Sequence, residues 1–253
     1  MTGAEPPSGL RRARRFLGRR VRALRRSLSG PPAEEALIAE RLPLPRHLIA
    51  LDSEEGARLL AEAGAEADYH QLLGHYVPQR NPRFCGPATL AILLNALWED
   101  EASGAGRGSR RPYDQDSVFV RRTEAVKPRE EVVRGGMGLP ILAGYLTAHG
   151  VRSELRFASE IGLGAFRERV VPLLVDRETF VAVNYHRPGL GQEGTGHISP
   201  LAAWHAASDR FLVLDVSRHR YPPVWVAAAA LFSAMNTVAG THTRGFVTAR
   251  LGP

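Results

Sequence analysis

Apolar residues recur at helical spacing immediately after a cysteine, in the stretch FCGPATLAILLNAL. The apolar positions lie three or four residues apart and are Leu90, Leu93, Leu94 and Leu97. This spacing predicts an amphipathic helix with one face buried against a core. Gly86 and Pro87 stand just before the run, and proline suits the first turn of a helix because its missing N–H is not needed there. The sequence therefore predicts a helix that begins at Cys85.

Four further segments show helical patterns. Asp52 stands three residues before Glu55, a spacing typical of a capping box, and this predicts a helix that runs to about Ala65. The other predicted helices cover residues 68–76, 139–149 and 161–175. Directly after Trp98, the Gly/Ser/Arg-rich segment 99–111 predicts an exposed loop.

Strand-like segments dominate the C-terminal half of the chain. They are rich in apolar residues and comprise residues 151–157, FVAVNY (180–185), HISPLAAWH (197–205) and FLVLDV (211–216). A turn near residues 206–209 would join the last two as a hairpin, which brings His197 and Asp215 onto neighbouring antiparallel strands. Helices followed by antiparallel strands indicate the α+β class.

Composition limits the classes of protein to consider. The chain of 253 residues is 44% hydrophobic, enough to bury one substantial core in a single domain of two lobes. Its one cysteine excludes an intramolecular disulfide and any zinc site built from several cysteines. No apolar run approaches the roughly 20 residues that a membrane-spanning helix needs, so we expect a soluble protein.

The positive charge is concentrated at the N-terminus. The net charge is +7, and residues 1–30 contain nine arginines and one acid, Glu5, so the remainder is close to neutral. Nucleic-acid binding by the folded domain is therefore not expected. We predict a flexible basic tail over residues 1–32 and a folded domain over 33–253. A thin apolar stripe in the tail leaves open weak contact with an acidic membrane or an acidic partner.

Cys85 is the first candidate for chemistry. A thiol at a helix N-terminus faces unpaired N–H groups and the positive end of the helix dipole, which lower its pKa and favour the nucleophilic thiolate. A lone cysteine can also be a small buried apolar residue. His197 and Asp215 complete a possible nucleophile, base and orienting acid, although each is also compatible with an ordinary strand position. Gln79 is either a loop amide or a donor to an oxyanion.

With these residues in hand, the chain resembles the phytochelatin synthases, papain-like enzymes that act on glutathione. The resemblance covers about residues 48–247 and is carried by QRNPRFCGPATLAILLNAL, GTGHISPLAAWH and LDVSRHRYPPVWV. Residues 236–247 resemble the closing strand of the family. The resemblance implies an α+β, papain-like cysteine peptidase fold. In this fold a helical lobe packs on an antiparallel β-sheet lobe, and the site lies in the groove between them.

The resemblance also implies roles for individual residues. The catalytic set would be the nucleophile Cys85, the general base and acid His197, its partner Asp215 and the oxyanion-hole amide Gln79. Arg218 and Tyr221 match positions near the substrate region, where a basic group could pair with a carboxylate of glutathione.

The implied reaction cleaves glycine from glutathione through a γ-glutamylcysteinyl thioester and passes the acyl group to a second glutathione or to water. Plant members carry a cysteine-rich C-terminal region that this sequence does not contain, and short members resemble glutathione peptidases, so we expect hydrolysis to dominate. The resemblance implies no required cofactor and no protein metal site. A divalent metal such as cadmium or zinc would enter as an activator or as a complex with glutathione, whose thiol is a soft ligand.

Two other functions stay open on the residues alone. A papain-like peptidase acting on a larger peptide leader would use the same triad in an open cleft. A non-catalytic binding domain with a membrane-associating tail would have no reason to keep all four catalytic residue types. Glutathione is the expected partner, and the expected location is the cytoplasm, with the tail allowing peripheral contact with a membrane.

Overall fold

The computed structural model describes residues 41–102 and 112–252, except for the side chains of residues 99–102. These residues form eight α-helices, three short 3₁₀-helices and nine strands. The α-helices are α1 (Glu54–Ala61), α2 (Ala67–Gly74), α3 (Cys85–Ala102), α4 (Arg121–Val126), α5 (Arg129–Gly135), α6 (Leu139–Ala148), α7 (Leu163–Val170) and α8 (Ala228–Met235). The 3₁₀-helices are Ala158–Glu160, Val171–Val175 and Arg187–Leu190.

Seven of the strands form one antiparallel sheet with the order β1-β6-β5-β4-β3-β9-β2. The strands are β1 (Ile49–Ala50), β2 (Arg152–Phe157), β3 (Thr179–His186), β4 (Gly196–His205), β5 (Arg210–Val213), β6 (Val224–Ala227), β7 (Val238–Ala239), β8 (His242–Thr243) and β9 (Gly245–Arg250). Strands β7 and β8 make a separate small hairpin. The α+β class predicted from the sequence is confirmed.

Alternate residues of the central strand β3 enter two different cores. Phe180 and Ala182 belong to the core that α3 and α6 cover, whereas Val181 and Val183 belong to the core under α7 and α8. Helices thus bury both faces of the sheet, which accounts for the continuous apolar run in β3. The sequence placed a helical lobe against the sheet but did not predict α8.

Helix α3 is buried on every side over residues 85–94. All of residues 90–94 are 0% exposed, because α2 and α6 contact the helix in addition to β3 and β4. The prediction that this helix starts at Cys85 is confirmed. The prediction of an amphipathic helix is wrong, since spacing of the leucines alone cannot show that alanine and isoleucine on the other side are also covered.

The helix predicted from Asp52 to about Ala65 is shorter than expected. Helix α1 is capped by Ser53, whose Oγ accepts a hydrogen bond from the Gly56 N–H at 3.0 Å, and it ends at Ala61. Asp52 is therefore not the cap. Ala65 instead pairs with Trp204 of β4 through an isolated bridge.

The predicted hairpin is present, with a turn over residues 206–209 between β4 and β5. Strand β5 ends at Val213, so Asp215 lies just beyond the regular strand rather than within it. The predicted helix 161–175 divides into α7 and a 3₁₀-helix, and the predicted closing strand corresponds to β9, which the small β7–β8 hairpin precedes.

Some predictions concern other parts of the chain. The predicted tail, residues 1–32, and residues 103–111 of the predicted loop lie outside the described residues. Residues 99–102 continue α3. Within the described ranges, no helix combines the length and the apolar character needed to cross a bilayer.

Candidate active site

Cys85 occupies the first position of α3, where the N–H groups of the first turn have no partner within the helix. The residue is 9% exposed, so the thiol is almost enclosed but not sealed. Gly86 follows it, and a Cβ built there would lie 2.2 Å from Cγ of Met137. The absence of a side chain at Gly86 therefore lets Met137 pack over the helix start.

His197 is the second residue of β4 and lies opposite Tyr185 of β3. The His197 ring lies beside the Cys85 thiol and lowers the pKa of that thiol. Nε2 lies 2.8 Å from Oδ1 of Asp215, but the ring N–H is poorly aligned with that oxygen, so this contact acts mainly through charge. With Nε2 directed at the carboxylate, Nδ1 is the ring nitrogen left to exchange a proton with the thiol.

Asp215 is 0% exposed, and its carboxylate contacts side chains from several elements. Besides His197, its Oδ1 accepts hydrogen bonds from Nη2 of Arg187 and from the Ser217 N–H, each at 2.8 Å. Oδ2 accepts one from the Tyr185 hydroxyl at 3.3 Å. Burial opposes ionisation, but the charges of Arg187 and His197 outweigh it and hold the pKa of Asp215 well below its usual range. The carboxyl is therefore an anion.

Arg187 was not singled out from the sequence. It follows β3 directly and is 3% exposed. Its guanidinium donates to Oδ1 of Asp215 and to Oε1 of Gln192, the latter at 2.7 Å, and lies over the ring of Tyr221 at 5.1 Å. An arginine directly after an apolar strand, ten positions before the candidate histidine, was the available signal.

The buried charges favour a thiolate–imidazolium pair. Burial raises the pKa of the Cys85 thiol, but the hydrogen bond and charge of His197, the backbone of Ile198 and the charge of Arg187 outweigh burial, so the pKa is lowered. Burial and Arg187 lower the pKa of His197, but Asp215 and the bond with Cys85 outweigh them and raise it. The two shifts together widen the pH range in which both groups are charged.

Gln79 lies in the loop that leads to α3 and is 3% exposed. Its backbone N–H donates to the Val216 carbonyl at 2.8 Å, one residue beyond Asp215. Its side-chain Nε2 donates to the Asn81 carbonyl at 2.8 Å, four residues before Cys85. Gln79 thus connects the loop before the nucleophile with the segment that carries the carboxylate, and its second amide hydrogen has no protein partner among the described residues.

The two predicted substrate residues lie in different environments. Arg218 is exposed, and its guanidinium lies 5.0 Å from the centre of the Tyr76 ring. Tyr221 is 1% exposed, and its hydroxyl accepts a hydrogen bond from the Glu193 N–H at 2.8 Å. Tyr221 therefore supports Arg187 and the loop before His197. A substrate contact stays a prediction for both residues.

Two further polar side chains near His197 were missed by sequence reasoning. Asn184 of β3 faces Ile198 across the sheet, and its buried Oδ1 has no partner in the described part of the chain. Arg244 lies against Gly196, where a built Cβ would be 3.2 Å from its Nε, and that Nε is also buried without a partner. Both residues lie within segments predicted to be strands, and nothing in those segments marks either side chain as functional.

Metal ligands do not gather in the part of the chain that the structure describes. No group of three or more His, Cys, Asp or Glu side chains there could hold a metal ion. Cys85 interacts with His197, and Asp215 forms an ion pair with Arg187, so the residue types match those of a catalytic triad.

Comparisons with known proteins agree with this chemistry. A family model described as phytochelatin synthase matches residues 39–246. Glutathione gamma-glutamylcysteinyltransferase 3 of Lotus japonicus is 34% identical over 209 residues, which is 81% of this chain and 42% of that protein. Glutathione gamma-glutamylcysteinyltransferase 1 of Arabidopsis thaliana is 30% identical over 217 residues, which is 85% of this chain and 40% of that protein.

A fungal relative has a similar relationship to the chain. Glutathione gamma-glutamylcysteinyltransferase of Schizosaccharomyces pombe is 28% identical over 209 residues, 81% of this chain and 49% of that protein. The chain thus spans between two fifths and half of the length of these three relatives. Because the family model matches residues 39–246, which is well over half of the chain, the chain belongs to the phytochelatin synthase family.

Proposed function

We propose that this protein is a thiol acyltransferase that removes glycine from glutathione and transfers the γ-glutamylcysteinyl group. The observation that carries the proposal is the placement of Cys85 at the N-terminus of α3 beside His197, whose Nε2 lies 2.8 Å from Oδ1 of Asp215. The names of the relatives support the identity of the substrate and of the transferred group.

In the first half of the reaction, the Cys85 thiolate attacks the carbonyl carbon of the Cys–Gly peptide bond of glutathione. A C–S bond forms and the carbonyl oxygen becomes an oxyanion. The His197 imidazolium then donates its proton to the glycine nitrogen as the C–N bond breaks, so glycine leaves and a thioester remains. Asp215 keeps the ring oriented and stabilises its positive charge.

The oxyanion needs donors that are in place before the reaction. Gln79 Nε2 and the backbone N–H of Cys85 would supply two, and the loss of one such donor costs on the order of 3 kcal/mol of transition-state stabilisation. Gln79 suits this role because its amide is buried and one of its hydrogens is already committed to Asn81, which fixes its orientation.

In the second half, an acceptor attacks the thioester carbon while His197 takes the acceptor's proton, and Cys85 leaves as the thiolate. The amine of a second glutathione gives a longer γ-glutamylcysteine polymer, and water gives γ-glutamylcysteine. We propose that hydrolysis is the main outcome for this chain.

Polar side chains without a full set of partners suit a small charged peptide. The unpartnered Oδ1 of Asn184 could accept a hydrogen bond from the substrate amine, and Arg244 could pair with a carboxylate. Arg218 is exposed and could bind a second carboxylate of the substrate. A divalent metal would arrive as a thiolate complex of glutathione rather than through protein ligands.

The basic N-terminal segment would act separately from catalysis. With nine arginines in residues 1–30, we propose weak, salt-sensitive adhesion of a cytoplasmic protein to acidic membranes. Sedimentation with anionic vesicles would measure it at two salt concentrations. Equal binding by a version that lacks residues 1–30 would contradict this part of the proposal.

The central experiment incubates the protein with glutathione, with and without cadmium, and identifies products by mass spectrometry. We expect release of glycine, an adduct of γ-glutamylcysteine on Cys85 after acid quench, and γ-glutamylcysteine as the main product. The variant Cys85→Ser should form no thioester. Because Cys85 is the only cysteine, any thioester can be assigned without ambiguity.

Two results would change the proposal. Abundant polymer without γ-glutamylcysteine would contradict the preference for hydrolysis but keep the acyl-enzyme. No glycine release from glutathione, together with cleavage of a longer peptide, would instead support a papain-like peptidase.

A further inference from the structure

The loop that carries Gln79 has no regular secondary structure. Residues 75–84 lie between α2 and α3 and belong to neither a helix nor a strand. The Gln79 side chain makes one hydrogen bond within its own loop, to Asn81, and its Oε1 is buried without a partner in the described ranges. The position of the Gln79 amide therefore depends on how the backbone of its loop is held.

A second glutamine holds that backbone on both sides of Gln79. Gln115 Nε2 donates to the Pro78 carbonyl at 2.9 Å, and Gln115 Oε1 accepts from the Arg80 N–H at 3.0 Å. The side-chain amide thus makes the pair of bonds that a neighbouring strand would make. The third backbone bond of this segment is the one from Gln79 N–H to Val216.

Gln115 is itself well anchored. It is 8% exposed, and its neighbour Asp116 pairs with Arg80 and with Arg129, the latter at 3.1 Å. Oδ1 of Asp114 accepts from the backbone N–H groups of Asp116 at 2.9 Å and Ser117 at 2.7 Å, which closes a turn around Gln115. A side chain held in this way can transmit a fixed position to the loop that it contacts.

We propose that Gln115 is a positioning residue that sets the Gln79 amide relative to Cys85 by clamping the backbone at Pro78 and Arg80. This inference rests on the proposed role of Gln79 in stabilising the oxyanion. Gln115 touches neither the nucleophile nor the substrate in this assignment. Its loss would act on the acylation step rather than on the reactivity of the thiol, because the thiolate depends on His197 and Asp215.

The test uses Gln115→Met, which keeps the length of the side chain and removes both hydrogen bonds, and Gln115→Glu, which keeps the acceptor for Arg80. Single-turnover acylation by glutathione should fall about tenfold to a hundredfold in Gln115→Met and less in Gln115→Glu, as expected when a catalytic group is displaced by about 1 Å. The KM should change little. The pH dependence of Cys85 alkylation by iodoacetamide should be unchanged.

Asn95 provides the matched control. Its side-chain amide also clamps a backbone from both sides, accepting from the Tyr113 N–H at 2.7 Å and donating to the Tyr113 carbonyl at 2.9 Å, but it makes neither bond to residues 78–80. Asn95→Ala should lower the melting temperature about as much as Gln115→Met and leave acylation within threefold of the original protein. In a Gln79→Ala background, Gln115→Met should reduce acylation by less than threefold further.

Amide hydrogen exchange tests the clamp without any assay of activity. Peptides covering residues 77–84 should exchange at least tenfold faster in Gln115→Met and remain unchanged in Asn95→Ala. Unchanged exchange in these peptides, or a full additional loss of acylation in the Gln79→Ala background, would overturn the inference. If the protein releases no glycine from glutathione, the proposed function is contradicted. If the protein is active and its acylation rate is unchanged by Gln115→Met, only this inference is contradicted.

Discussion

Arg187 and Asp215 form an ion pair that is closed off from solvent: Nη2 lies 2.8 Å from Oδ1, and the two side chains are 4% and 0% exposed. The same oxygen also faces His197, so one carboxylate balances two cationic groups. The charges in the site are therefore interdependent, and removal of one leaves the others poorly compensated.

Arg187→Met should destabilise the protein by about 3–5 kcal/mol, because it leaves the buried Asp215 carboxylate with only part of its counter-charge. Urea unfolding followed by tryptophan fluorescence measures the loss. The exposed Arg218→Met should change the free energy of unfolding by no more than about 0.5 kcal/mol. Equal, small effects of both substitutions would show that the buried pair is not the source of stability.

Alkylation of Cys85 by iodoacetamide should persist to lower pH than alkylation of a free thiol, whose pKa is about 8.5. The lowered pKa of Cys85 and the raised pKa of His197 extend the pH range of the ion pair. Asp215→Asn removes the charge that favours imidazolium, so the pKa of His197 falls and the acid limb of the alkylation profile moves to higher pH.

The control for this profile is Asp52→Asn. Asp52 is an exposed carboxylate 3.1 Å from Arg41. Its substitution should leave the alkylation profile in place, since exposed pairs contribute little. A profile that moves equally in both variants would contradict a specific effect of Asp215 on the thiolate.

Gly86→Ala should destabilise the protein by about 1–3 kcal/mol and slow alkylation of Cys85, because the new methyl group meets Met137. Met137→Ala removes the obstructing atoms, so Gly86→Ala should cost much less in that background. Thermal unfolding of the two single variants and the double variant gives the coupling energy.

Gly164→Ala in α7 is the comparison for Gly86. A Cβ built on Gly164 has no other atom within 4 Å, so this change should be neutral or stabilising by a few tenths of a kcal/mol. If Gly164→Ala lowers the free energy of unfolding as much as Gly86→Ala, the cost of alanine at these helix positions does not come from a steric clash.

Asp68→Asn should make the protein more stable at pH 8 by at least about 1 kcal/mol and have little effect near pH 4. Asp68 is 0% exposed, both carboxylate oxygens lack a partner among the described residues, and burial together with the nearby Asp176 raises its pKa to about 8. Below its unfolded pKa near 4 the group is neutral in both states, so ionisation does not affect stability there.

The sign of this effect follows from the two protonation states. As pH rises from about 4 to about 8, the unfolded chain releases the Asp68 proton while the folded protein retains it, so stability falls. Above about pH 8, Asp68 is ionised in both the folded and the unfolded state, so stability no longer falls with pH. Urea midpoints measured at several pH values should show this decline in the original protein, and an equal decline in Asp68→Asn would assign it to other groups.

Much of the site could be predicted because its signals are local. The glycine and proline after Cys85 indicate a helix start, and the short turn between two apolar segments indicates the hairpin that brings His197 near Asp215. Both predictions depend on residues within one element or on neighbouring strands. The resemblance to a known family added the role of Gln79, which stays a prediction.

The parts that sequence reasoning missed depend on contacts between distant segments. Arg187 stands 28 positions before Asp215, and the pairing of Gln115 with the Gln79 loop spans 35 positions from Arg80. An arginine or glutamine at such a distance carries no pattern of its own. The cap of α1 was assigned to the wrong neighbour for a simpler reason, since Asp52 and Ser53 are both good capping residues and only the backbone geometry distinguishes them.

By itself the sequence determined the class of fold, the start of the helix at Cys85 and the order of Cys85, His197 and Asp215 along the chain. Tertiary structure decided that helices cover both faces of the sheet, that α3 is buried all round over residues 85–94, and that Arg187 neutralises the carboxylate. The physical reason is that helix starts and turns are set by the conformational preferences of a few adjacent residues. Burial and charge pairing instead depend on which distant segments folding brings together.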